Sequence, residues 1–197
     1  MVKQAYTMWR WILVVLMLCV GPLQAQEDAM LIDDFSDQRS ALGTEWQGFT
    51  DRVMGGLSDM QAGYREVDGR AVLGMRGQVR LENNGGFIQA RLPLDTRGRS
   101  FDASGFAGFR INARALKPGA YYLHLRTSDT RRPWAYYSVR LDLAGDWATL
   151  AVPWSAFEPQ RLDRPLDPAR LRSLAVVAYG EAFEADVEVA RIEWLAD

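Results

Sequence analysis

Cysteine and histidine are almost missing from this chain, which has one of each in 197 residues, Cys19 and His124. A lone cysteine cannot form an internal disulfide, and a lone histidine cannot supply the paired imidazoles of a zinc site. Lysine is nearly as scarce: after Lys3 only Lys117 remains, so positive charge is carried by arginine. Arginine is a planar, bidentate donor that stacks on aromatic rings, so the bias fits either a binding face or the codon usage of a GC-rich genome. No Gly-x-Ser-x-Gly elbow, Gly-x-Gly-x-x-Gly turn or phosphate loop occurs. The one long apolar run, Trp11 to Val20, has ten residues, half of the roughly 20 that cross a bilayer. Charge is nearly balanced, 23 basic against 25 acidic residues without a basic block, which makes nucleic acid and anionic lipid poor partners.

What is present at the N-terminus has a clear pattern. Lys3 and Arg10 precede the apolar run, and Leu23-Gln24-Ala25 follows it, the arrangement of a secretory signal cleaved before Gln26. An acylated Cys19 would need a small residue before it, where Leu18 and Met17 are bulky. A mitochondrial presequence would be Arg-rich and amphipathic, and this segment is neither. The expectation is therefore a signal peptide over residues 1–25 and one periplasmic or secreted domain over residues 26–197, with no membrane span. That domain has 172 residues, no cysteine, and 21 basic against 25 acidic groups. A single domain of this length buries about 70% of its unfolded surface, enough to stand on its core.

Beyond Gln26, turn residues recur about every ten positions, with short alternating or apolar runs between them, as in an all-β sandwich or barrel. Twelve strands are predicted: Leu31 to Phe35, Trp46 to Thr50, Tyr64 to Val67, Arg70 to Met75, Val79 to Glu82, Phe87 to Leu92, Gly108 to Ala113, Tyr121 to Thr127, Ala135 to Leu143, Ala148 to Val152, Leu174 to Tyr179 and Val187 to Trp194. Helix is confined to a turn or two opened by Asp167-Pro168 through Arg172, and a single turn at Ser155 to Phe157. The period of two sorts side chains onto faces. Phe109, Ile111 and Ala113 oppose Arg110 and Asn112. Tyr121, Leu123 and Leu125 oppose Tyr122, His124 and Arg126. Tyr137, Val139 and Leu141 oppose Tyr136, Ser138 and Arg140. The polar set is either an ordinary solvated surface or a ligand-contacting face on which tyrosines stack and arginines fix polar groups. The lone histidine reads more simply as a packing residue.

A second feature is local. In Trp46-Gln47-Gly48-Phe49-Thr50-Asp51-Arg52-Val53-Met54-Gly55-Gly56-Leu57-Ser58, a strand runs into a double-glycine turn, and Asn84-Gly85-Gly86-Phe87 echoes it. Asp51 either caps the turn through a backbone N–H or contacts a ligand. Met54 is expected to plug the core beneath the loop, and Asn84 to take a left-handed turn position. The two doublets are expected side by side at one end of the sandwich.

These motifs, with Gly77, Gly108-Phe109-Arg110-Ile111, Tyr121-Tyr122-Leu123-His124-Leu125, Trp134, Trp147, Val152-Pro153, Phe157, Asp167-Pro168 and the closing strand Val187 to Trp194, resemble the complex I intermediate-associated protein 30 family. The resemblance implies a jelly-roll sandwich of two antiparallel sheets, similar to galactose-binding domains and several carbohydrate-binding modules. Mitochondrial members are assembly chaperones without a catalytic reaction, so a protein partner and no cofactor are implied. A secretory address departs from that setting. Jelly-roll binding modules often hold a structural calcium between first and last strands, for which Asp33, Asp34 and Glu193 are in place. Enzyme chemistry has little support, since nothing in the spacing of Asp51, Asp129, Asp142 and Glu158 makes two carboxylates meet. Two functions follow as expectations: a non-catalytic, protein-binding assembly module outside the cytoplasm, or a carbohydrate-binding module using Tyr122 and Tyr136.

Overall fold

The computed structural model describes residues 30–196, so the segment predicted to be a signal peptide lies outside the described residues. Twelve strands make up the fold: β1 (Leu31–Asp33), β2 (Gln47–Thr50), β3 (Asp59–Val67), β4 (Arg70–Val79), β5 (Phe87–Pro93), β6 (Gly108–Ala115), β7 (Tyr121–Thr127), β8 (Tyr136–Leu141), β9 (Ala148–Pro153), β10 (Glu158–Gln160), β11 (Leu171–Tyr179) and β12 (Phe183–Leu195). They form two six-stranded antiparallel sheets. In the first the order is β3-β4-β12-β6-β9, with β1 also paired to β12; in the second it is β10-β8-β7-β11-β5-β2. The expected jelly-roll sandwich is the fold observed.

Strand β12 explains how the first sheet accommodates six members. Its first half pairs with β4 through Phe183 to Val189, and its second half pairs with β1 at Ile192 and Glu193. A bulge between Val189 and Arg191 shifts its register against β6.

Alternation builds the core between the sheets. Ile88, Ala90 and Leu92 of β5, Leu123 and Leu125 of β7, and Val176 and Ala178 of β11 meet Ile111, Val187, Val189 and Ile192 of the other sheet, all buried. One end is aromatic: Trp194 stacks with Phe101 at 5.0 Å, Phe106 at 5.1 Å and Phe109 at 5.3 Å between centroids. Tyr121 and Tyr137 are also buried, and each hydroxyl is satisfied. Tyr121 donates to the Lys117 carbonyl and accepts from the Asp186 N–H, while Tyr137 donates to the Pro165 carbonyl.

One predicted strand is missing and one strand is unforeseen. No separate strand covers Val79 to Glu82, because β4 runs on through Gly77 to Val79 and residues 82–84 form a 3-10 turn. Conversely, β10 has no counterpart among the predictions. The helical expectations reduce to single 3-10 turns, Pro168–Arg170, with Asp167 accepting from the Ala169 N–H, and Trp154–Ala156.

Candidate functional site

The outward faces of the two sheets differ in their electrostatics. On the first sheet, arginines meet carboxylates: Glu188 accepts from Arg65 at 2.7 Å and Arg114 at 2.6 Å, and Glu193 lies 2.7 Å from Arg191 and 3.6 Å from Arg110. Arg110 therefore belongs to this face. The expectation that grouped it with Tyr122, His124, Arg126, Tyr136 and Arg140 is corrected, because those five lie on β7 and β8 of the other sheet.

A cleft runs along the outer face of the second sheet, lined by Phe87, Gln89, Arg91, His124, Arg126, Pro133, Tyr136, Ser173, Ala175, Val177 and Tyr179, with about 480 Å³ of space including that open to solvent. Its shape follows from sequence. The outward residues of β11 are small, Ser173, Ala175 and Val177, and form the floor. The flanking strands carry long side chains. Register sets Arg91 opposite Ala175 from β5, and His124 opposite Ala175 and Arg126 opposite Ser173 from β7. A low central strand between two tall neighbours is a trough.

Aromatic rings line one side. His124 stacks on Tyr136 with centroids 4.2 Å apart and planes 20° apart. Tyr179 stands edge-on to Tyr122 at 6.2 Å, His124 at 6.0 Å and Tyr136 at 6.5 Å. Burial, reinforced by the Arg126 charge, pushes the His124 imidazole down to about 3, so it is neutral at ordinary pH. Its Nε2 is buried and, among the described residues, without a hydrogen-bond partner. Burial and the neighbouring Tyr179 hydroxyl push the Tyr136 phenol up. Arg126 donates to the carbonyls of Arg132 and Pro133. Arg91 donates to Gln47 at 3.2 Å and lies 4.5 Å over the Phe49 ring. Tyr122 supports the ring cluster, whereas Arg140 is exposed beside Asp142 and does not line the cleft. Sequence reasoning missed Arg91, Gln89 and Tyr179, although the same period of two in β5 and β11 puts them on this face.

At the Phe87 end of the cleft, Asp51 binds the two glycine doublets together. Its side chain is wholly buried, and it accepts from Ser58 Oγ, from Ser58 N at 3.0 Å and from Gly86 N at 2.6 Å. Burial alone would raise this carboxyl, but these hydrogen bonds outweigh it and hold it below its ordinary value. Asp51 thus bonds backbone N–H groups on a loop 35 residues away as well as on its own. Asn83 adds a 3.3 Å bond to the Gly55 carbonyl. Asn84 has φ 58°, Gly55 φ 91° and Gly86 φ 129°, all left-handed. Met54 is not a core plug. It is 57% exposed and Val53 is 70% exposed, because the Asp51 carboxylate occupies the inside of the turn. Trp46 is held elsewhere, donating to Asp33 at 2.8 Å with its ring 6.0 Å from Phe35.

The carboxylates considered for calcium are engaged by protein donors. Asp33 accepts from Phe35 N and Trp46 Nε1, each at 2.8 Å; Asp34 accepts from Ser36 Oγ at 2.7 Å; Glu193 accepts from Arg191 at 2.7 Å. Among the described residues no three metal-ligating side chains gather, and carboxylates turned toward arginine and N–H donors do not fit a calcium ion.

Fold and cleft define a jelly-roll β-sandwich of two antiparallel sheets with a trough on one outer face. The profile described as "Complex I intermediate-associated protein 30 (CIA30)" matches residues 34–182, and the chain belongs to that family. The match stops short of β12. Among solved structures, the family 11 carbohydrate-binding module of a cellulosomal cellulase of Clostridium thermocellum is similar, with TM-score 0.66 and 13% identity over 85% of this chain and 94% of that one. The family 11 module from the same organism, in complex with a β-1,3-1,4-mixed-linked tetrasaccharide, gives 0.64 and 13% over 85% and 95%. A family 30 carbohydrate-binding module gives 0.52 and 14% over 72% and 83%. At such identities the likeness is one of fold. No curated protein matches the chain significantly.

Proposed function

We propose that this protein is a non-catalytic binding module that takes a carbohydrate chain in the cleft of the second sheet. The observation that carries this is the trough itself: a floor of small residues, stacked rings at His124 and Tyr136 with Tyr179 edge-on, and guanidinium and amide donors fixed around it. Sugars present apolar ring faces that lie against aromatics and hydroxyls that need fixed polar partners. The resemblance to carbohydrate-binding modules favours the same reading. A binding role without catalysis is supported by the lining, which among the described residues has no Asp or Glu to act as the two carboxylates of glycoside hydrolysis. The proposed location is the periplasm or the outside of the cell, on the strength of residues 1–25. Calorimetry against cell-wall and storage oligosaccharides tests the reading. Saturable binding that is lost in both Tyr136→Ala and Tyr179→Ala, with melting temperature retained, is the expected result. Binding untouched by both substitutions would remove the cleft as the site.

A protein-assembly role is a second reading, favoured by one observation beyond family membership. Val53, Met54, Leu57 and Leu81 are all exposed, at 45–70%, on the two loops that Asp51 ties together. Apolar side chains held outward on a rigid end suit docking to another protein. Crosslinking in the native cell with wild type and a Val53→Ser/Met54→Ser variant separates the readings. A partner captured by wild type alone supports assembly, and identical profiles oppose it.

A further inference from the structure

Arginines on the first sheet's outer face mostly meet carboxylates, with Arg70 and Arg76 donating instead to the neutral Asn112 and Gln61. On the first sheet Arg65, Arg110, Arg114 and Arg191 each lie within 4 Å of a carboxylate. In the cleft, Arg91 and Arg126 are half-buried, and among the described residues neither has a carboxylate within salt-bridge distance. Their only acceptors are neutral: Gln47 for Arg91, and backbone carbonyls for Arg126. Both are held in place, so their orientation is settled before any ligand arrives. Arg91 Nε is also buried, with no partner among the described residues.

Register brings these two charges to bear on one place. Arg91 is opposite Ala175 and Arg126 opposite Ser173, so they flank the same stretch of β11 from its two sides. Their backbones are two strand spacings apart across the sheet and two residues out of step along it, about 12 Å in all. Two partly desolvated cations facing each other across small residues repel, and the repulsion acts on folding as long as nothing negative lies between them. His124, the other nitrogen base at this point, is neutral and adds no further positive charge. A planar anion would relieve the repulsion and accept from both guanidinium forks.

We propose that the cleft selects an acidic glycan, with a uronate carboxylate held between Arg91 and Arg126 while the sugar ring lies against the His124–Tyr136 stack. This rests on the carbohydrate reading above and narrows it to a charged class. The chemistry is that of a sugar-borne anion. A carboxylate is preferred to a sulfate ester because its two coplanar oxygens match two flanking forks.

The test is isothermal titration of the full chain with oligosaccharides of galacturonate, of mannuronate and guluronate, and of glucuronate. Each is compared with the same oligosaccharide after its carboxyls are reduced to alcohols, and a sulfated neutral oligosaccharide forms a third arm. At least one uronate chain is expected to bind about tenfold or more tightly than its reduced counterpart, with affinity falling as salt is raised. Arg91→Gln and Arg126→Gln are each expected to weaken that binding about tenfold or more. If Arg91→Gln fails to fold because the Phe49 contact is lost, the acid-against-alcohol comparison on unmodified protein still decides. Equal binding of acid and alcohol forms, or preference for the alcohol, overturns the anion site and leaves the carbohydrate reading standing. Binding of the sulfated arm alone overturns the uronate assignment. Binding of nothing in any arm overturns the uronate proposal, and the cell-wall and storage oligosaccharides then decide the carbohydrate reading separately.

Discussion

Alanine at Gly56 should damage this protein far more than alanine at its neighbour Gly55. Gly55 has the left-handed conformation, φ 91°, but a Cβ there would meet nothing within 4 Å. Its cost is the conformational one alone, about 1–2 kcal/mol. Gly56 lies outside the left-handed range, yet a Cβ there would fall 2.3 Å from both Cγ and Oδ1 of Asp51 and 2.7 Å from its Cβ. Carbon contacts are comfortable near 3.5–4.0 Å, so the carboxylate must leave its seat. The bonds from Ser58 Oγ, Ser58 N and Gly86 N then go with it, stranding buried donors. Hydrogen bonds to a charged group are worth about 1.5–3 kcal/mol each, but these three act as one coupled unit, so a total of roughly 3–5 kcal/mol is expected. For a domain of this size each kcal/mol moves the melting temperature by about 2–4 °C. Gly56→Ala should therefore melt roughly 6–20 °C below wild type, and Gly55→Ala only about 2–8 °C below. Urea titration and thermal melts of both variants measure this. A Gly55→Ala loss equal to or larger than that of Gly56→Ala would refute the argument that the occupied space, and not φ, decides.

Further outcomes follow from the same geometry. Asp51→Asn should be destabilised most at neutral pH. The folded carboxyl titrates below its unfolded value of about 3.9, so its contribution is full above that pH and is lost as pH falls through the folded pKa. The gap from wild type, followed by urea midpoint across pH, should close below about pH 4. Glu188→Ala should cost about 3 kcal/mol, since it strands Arg65 and Arg114 around a site only 2% exposed, with Asp186 at 3.4 Å offering Arg65 partial replacement. An unchanged urea midpoint would show that the pair is neutral in balance.

Much of this was legible as alternation. Period two in β7 and β8 by itself puts Tyr122, His124, Arg126 and Tyr136 on one outward face. What period two cannot carry is which sheet a strand joins, so Arg110 has the right parity and the wrong sheet. Strand β10 escaped because Pro159 looks like a loop residue. It is tolerated because β10 is an edge strand paired only to β8, where a missing N–H costs no ladder bond. Gly77 broke an apolar run that the backbone continues through. Sequence alone points Met54 inward because apolar residues usually bury. The structure turns it outward because a polar side chain claimed the interior of that turn first, and only the spatial meeting of two distant loops creates that claim.

The position of β12 also sets an order of events. It is the last of the described strands in the sequence, yet it lies between β4 and β6 and pairs with β1 as well. Until residues 183–195 have been synthesised, the partner edges of β1, β4 and β6 have nothing to zip to, and the aromatic end lacks Trp194. All three pairings span long stretches of sequence, which makes them slow to close. The first sheet is therefore committed to remaining incomplete until residues 183–195 are available. That schedule suits the proposed export, because a polypeptide that must thread a membrane channel has to be unfolded while it does so.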